Sequence, residues 1–94
     1  MNSTERALRR DLLIGAVERV GLQLSYSSSS VIARCALGWI KSSNNGNGWE
    51  VWTSVYGRSC FNDDALTVAV ARFHKDLSHM KESLDRVFIM GWNK

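Results

Sequence analysis

From Leu66 onward, apolar residues recur at alternating spacings of four and three: Leu66, Val70, Phe73, Leu77, Met80, Leu84 and Val87. The seam holds for about three heptads and predicts one helix from Asp63 to Phe88, capped by Asn62, with Asp63 and Asp64 at its positive end. Such a helix is about 39 Å long at 1.5 Å per residue. The best strand candidate, GWEVWTSVY, covers only about 30 Å. Any sheet built here should therefore be overhung by the helix, whose far end needs a first helix or a second copy of the chain. Ala69, His74, Asp76, Lys81 and Ser83 flank the seam and are a poor charge code for a zipper. Packing on a sheet is the expected use, and a homodimer through this helix is the alternative to a monomer.

The remaining chain supplies the partners for that helix. Leu8, Leu12, Leu13, Ala16, Val17 and Val20 form an apolar stripe behind a cap at Asn2 or Ser3, with Glu5 in the first turn and Gly21 as terminator. Arg6, Arg9 and Arg10 lie off the stripe near the helix start, where cations oppose the dipole. They read as a solvated face or as contacts to phosphate or an acidic partner.

Leu22 to Tyr26 alternates as a short strand, and Ser27 to Ser30 reads as a loop. Val31 to Lys41 fits a strand with Val31, Ala33, Cys35, Leu37 and Trp39 on one face, which we prefer. It also fits a helix grouping Val31, Ile32, Cys35, Ala36, Trp39 and Ile40. A turn-rich SSNNGNG segment joins it to the next strand as a hairpin. There Trp49, Val51, Thr53 and Val55 should face the core, while Glu50, Trp52, Ser54, Tyr56 and Arg58 share the other face. The expected fold is a single α+β domain over residues 1–94, ordered αβββα, with a small antiparallel sheet packed on two helices.

Composition narrows the function. With 45% hydrophobic and 22% charged residues the chain is globular rather than disordered. A net charge of +3 tolerates nucleic acid or an acidic surface as partner without demanding either. No signal peptide or membrane span is expected, which points to the cytoplasm and to reduced, buried thiols at Cys35 and Cys60. Those cysteines lie too far apart for a zinc knuckle, and His74 and His79 diverge by about 140° on a helix, so no metal is expected. His74, Asp76, Ser78 and His79 would scatter around the same helix, and GNG is a hairpin turn rather than a phosphate cradle. No enzyme and no cofactor are expected.

Binding is the class left. Trp52 and Tyr56 beside Arg58 offer stacking surfaces and a guanidinium, the combination that holds single-stranded nucleic acid. The order of elements resembles the double-stranded-RNA-binding domain, but that family opens its last helix with lysines where this chain has Asn62, Asp63 and Asp64. Trp49, Val51 and Trp52 on a strand, followed by Asp63, Asp64, Ala65, Leu66, Ala69 and Phe73, resemble small phage-encoded accessory proteins. Among these are the α–β–α sandwich type and several anti-CRISPR proteins. That resemblance implies a binder of a host or defence protein, without chemistry of its own. The partner expected is a larger protein or ribonucleoprotein complex, with a phage-type inhibitor of host defence as one form of this. The expected contacts are Trp52, Tyr56 and Arg58, with Arg6, Arg9 and Arg10 second; a nucleic-acid-binding regulator using the same face is the alternative.

Overall fold

The structure, a computed structural model, describes residues 2–27, 29–43 and 46–92, with side chains as far as residue 83. Helix α1 spans Ser3–Arg19. At its start the Asn2 carboxamide oxygen accepts from the Glu5 amide at 2.8 Å, and the Asn2 amide nitrogen donates back to the Glu5 carboxylate at 3.1 Å. At its end Gly21 adopts φ 76°, and the Gly21 and Leu22 amides donate to the Glu18 and Val17 carbonyls. This is the paired closure that a left-handed glycine permits.

Five strands follow: β1 (Ser25–Tyr26), β2 (Ile32–Cys35), β3 (Gly38–Ser42), β4 (Trp49–Thr53) and β5 (Gly57–Phe61). They form one antiparallel meander in chain order. A 3-10 turn, Asp63–Ala65, then leads into α2, Leu66–Trp92. The α+β class holds, while the strand count differs from the expected three, because each of two apolar runs folds back on itself. Val31 to Lys41 is neither one strand nor a helix: it turns at Ala36-Leu37 and returns as β3. The next run breaks after Thr53, whose hydroxyl accepts from the Tyr56 amide at 3.0 Å, and Gly57 at φ 72° sends the chain back as β5. Leu22 to Leu24 stays outside β1.

Each fold-back resets which residues face the helices. Cross-strand register puts Ala33, Ile40, Val51 and Ser59 in one column and Ser42, Trp49 and Phe61 in the next, on the side where α1 and α2 pack. Leu13, Val17, Ala33, Ile40, Trp49, Val51, Val70 and Phe73 are sealed there. Trp39, expected inside, points to the opposite face, and Val55, expected in the core, is exposed in the β4–β5 turn. Cys35 and Cys60 are free thiols at exposed positions, not buried ones. Cys35 ends β2 at a turn, and Cys60 shares a column with Lys41 and Glu50 on the face away from the helices.

The helices show the same mixture. Of the α1 stripe, Leu13, Ala16 and Val17 are buried, but Leu8 and Leu12 are each 60% exposed, because Arg9 takes the inward position one turn before Leu13. Asn62 precedes the 3-10 turn, yet it holds that turn through its carbonyl, which accepts from the Ala65 amide at 3.0 Å, rather than through its side chain. Along α2, Val70, Phe73 and Met80 are buried and Leu66 and Leu77 partly so. Leu84, Val87 and the Trp92 indole lie outside the described side chains. At 27 residues α2 is about 40 Å long, against about 17 Å for a five-residue strand, so it overhangs the sheet as expected. The molecule measures 55 × 22 × 20 Å.

Gly38 is the tightest backbone approach in the sheet: a Cβ there would sit 2.2 Å from the Trp52 carbonyl oxygen and 3.1 Å from the Phe73 ring. Both neighbours are fixed by pairing or packing, so neither can yield cheaply. Gly38→Ala is expected to destabilise the fold by about 2–3 kcal/mol. Urea unfolding should show this as a lower midpoint with an unchanged slope.

Candidate functional site

Helices cover one side of the meander, and the other side carries two rows of side chains. The first row, read across β2 to β5, is Arg34, Trp39, Trp52 and Arg58. The second is Ile32, Lys41, Glu50 and Cys60. A one-face-covered antiparallel sheet normally puts polar residues on its open side. Here two indoles occupy the middle of it. Their ring centroids are 6.2 Å apart and their planes lie within 20°, an offset parallel pair. The Lys41 ammonium stands 4.8 Å from the Trp39 centroid, within cation–π range. The Arg58 guanidinium meets the Glu50 carboxylate at 2.6 Å, and Glu50 is only 5% exposed, so this pair neutralises the one carboxylate of the two rows.

Of the expected contact residues, the structure brings Trp52 and Arg58 together, though as cross-strand partners rather than along one strand. Trp52 is 36% exposed. Tyr56 is 47% exposed but belongs to the β4–β5 turn, beyond the end of the aromatic row. Sequence reasoning missed Trp39, Arg34 and Lys41. The signal that could have found Trp39 and Lys41 is Gly38, which splits the apolar run and inverts the facing of the residues on β3; Arg34 precedes the turn and lies off the core face in the strand reading as well.

The three arginines of α1 do not act as one cluster. Arg9 is turned inward and 9% exposed. Its Nε donates to Ser42 Oγ at 2.8 Å, Nη2 to the Gly48 carbonyl at 2.8 Å, and Nη1 to the Asp63 carboxylate at 2.5 Å. Its Cζ lies 4.4 Å from the Trp49 ring centroid. Asp63 also accepts from the Gly48 amide at 3.3 Å. Arg9 is thus a tie between α1, β3, the β3–β4 loop and the 3-10 turn, and its expected role as a partner contact is corrected: its donors are used internally. Arg10 is partly buried on α1. Arg6 lines an open concavity of about 620 Å³ whose other walls include Ser27, Ser29, Arg34, Lys41 and Ser43. A second, less polar groove of about 550 Å³ runs past Leu8, Leu12, Leu66 and Trp49.

Among the described residues no group of three or more His, Cys, Asp or Glu side chains is placed to hold a metal ion, and His74 and His79 are both exposed on α2. No helix among them is long and apolar enough to cross a membrane. No family model, no curated protein and no solved structure matches this chain.

The hydrogen bond from Arg9 holds the Asp63 carboxyl below its ordinary range, against an opposing effect of burial and with the Arg9 charge and the Gly48 amide acting in the same direction as the hydrogen bond. A carboxylate with a lowered folded-state pKa adds stability above its unfolded pKa and loses it as pH falls through the folded value. Stability of the wild-type protein should therefore begin to drop below about pH 4. Asp63→Asn should flatten that acid limb while lowering stability at neutral pH. Arg9→Leu, which strands the Gly48 carbonyl and removes the donor to Ser42, should cost about 1–3 kcal/mol. Urea unfolding across a pH series checks all three.

Proposed function

We propose that this is a small non-catalytic binding protein that occupies a surface of a larger macromolecular partner through its uncovered sheet face. The observation that supports this reading best is the Trp39–Trp52 pair at the centre of that face, ringed by Arg34, Lys41 and Arg58. Aromatic and arginine side chains are the usual anchors of interfaces, and anchors concentrate at the centre of the contact rather than at its rim. Tyr56, at the end of the β4–β5 turn, extends the face at one edge. A cytoplasmic setting with reduced thiols goes with this reading. Inhibition of a host defence complex is the form of it that the resemblance to phage accessory proteins implies.

Trp52→Ala is the direct test, since the ring stands on the open face and its loss leaves the helix-side core intact. Affinity for the partner should fall by about 2 kcal/mol or more, roughly 30-fold. Tagged wild-type and variant protein, each shown to be folded by circular dichroism, are passed through co-purification from the organism that encodes them. A partner retained equally by both would remove the sheet face from consideration.

A further inference from the structure

The open concavity and the tryptophan pair are not separate features. Arg34 and Lys41 belong to both: they line the concavity beside Arg6, and on the sheet Arg34 lies directly opposite Trp39 while Lys41 stands over its ring. Among the described residues, the concavity's lining contains three cations, several serine hydroxyls and no carboxylate. The carboxylate of the neighbouring sheet rows, Glu50, is already neutralised by Arg58. The surface therefore runs from an anion-selective basin, through two shared cations, onto two near-parallel indoles on adjacent strands.

Resting on the reading of this face as a binding surface, we infer that concavity and tryptophan row form one track for single-stranded nucleic acid. Phosphates meet Arg34 and Lys41 where these line the basin, and about two bases stack on Trp39 and Trp52. Cationic grooves supply affinity for the backbone, and aromatic rings supply a base contact that any nucleobase satisfies. Duplex fits poorly, because its bases are already stacked and a sheet face offers no element to enter a groove. An acidic protein surface would use the cations but leave the paired indoles without a matching contact. Arg58, committed to Glu50, is not counted among the phosphate ligands.

The test uses the full chain with fluorescently labelled oligo-U and oligo-dT of about twelve nucleotides, read by anisotropy. A blunt duplex of the same length and base-free polyphosphate serve as competitors. Single strands should bind, with log K falling against log salt at a slope of about −1.4, the value for two phosphate contacts on a single strand. Duplex should compete at least about tenfold more weakly. Arg34→Ala combined with Lys41→Ala should bring the slope close to zero. Trp39→Ala should weaken single-strand binding by about 5- to 100-fold and leave the slope unchanged. Where that variant does not fold, Trp39→Leu keeps an apolar cover on β3 and removes the stacking ring.

Absence of saturable binding by either oligonucleotide up to about 100 µM at low salt overturns the track. So does polyphosphate that competes as well as the oligonucleotides while Trp39 replacement has no effect, since that describes an anion patch without base recognition. The broader binding-face reading fails separately. If oligonucleotides do not bind but Trp52→Ala still abolishes a nuclease-resistant partner in co-purification, the partner is protein and only the nucleic-acid track is lost.

Discussion

A buried guanidinium holds the two layers of this protein in register. Arg9 reaches from α1 across the sheet edge to the Ser42 hydroxyl, the Gly48 carbonyl and the Asp63 carboxylate, with the Trp49 ring against its plane. An arginine is suited to this because its donors form a rigid fork and it is only weakly hydrated. Charge burial is tolerable there only because each face of the fork is occupied; one missing acceptor would leave a cost of kcal/mol size. The tie also explains why α1 is rotated from its most apolar orientation. Turning Leu8 and Leu12 inward would bring more hydrocarbon into the core but would pull Arg9 out of its socket. Leu8 and Leu12 remain exposed as the consequence.

That same socket depends on unusual backbone. Gly48 presents its carbonyl to Arg9 and its amide to Asp63 while holding φ at 105°, and a Cβ there would meet the Phe61 carbonyl oxygen at 2.5 Å. Only glycine satisfies both the dihedral and the approach. The β3–β4 loop, α1 and the 3-10 turn are thereby coupled at one point, and the end of the sheet at Ser42 and Trp49 is fixed against the helix layer. The opposite end is fixed by Gly38, where the β2–β3 turn lies close enough to β4 for the Ser54 amide to reach the Leu37 carbonyl at 3.0 Å.

How far the sequence was legible follows from which periodicities carry information. Helical stripes are long and redundant, so α2 and its overhang could be read from Val70, Phe73, Leu77 and Met80, and α1 from its cap at Asn2 and terminator at Gly21. Strand alternation repeats every second residue and contains no mark of where a strand stops. Val31 to Lys41 and Gly48 to Tyr56 each looked continuous, yet each contained a tight turn whose local cues were small: Gly38 in one, Thr53-Ser54 and Gly57 in the other. Missing the Ala36-Leu37 turn does more than miscount strands, because it shifts the parity of the residues on β3, whereas the three-residue β4–β5 turn keeps Arg58 on the face of Trp52. Trp39 was assigned to the core for that reason alone. Arg9 was misread for a different one: its acceptors come from residues 42, 48 and 63, and no local pattern on α1 announces partners so distant in sequence.

The placement of the tryptophans on β3 and β4 bears on what the open face can do. These two strands are flanked on both sides by others, so their backbones are held by hydrogen bonds along both edges. Beneath them Ile40 and Val51 are sealed against the helices. A side chain mounted there starts from a fixed backbone, and an indole has only two torsions left to restrict. Each ring restricts the other further through their parallel packing, and the Lys41 ammonium stands over the Trp39 ring. Little ordering entropy then remains to be lost when a partner arrives, and that entropy is a main cost of association. Exposed aromatic residues in turns, such as Tyr56, lie outside the paired strands and lack this advantage even when they show more surface. Pre-organisation rather than exposure is therefore the physical ground for centring the proposed binding surface on the Trp39–Trp52 pair.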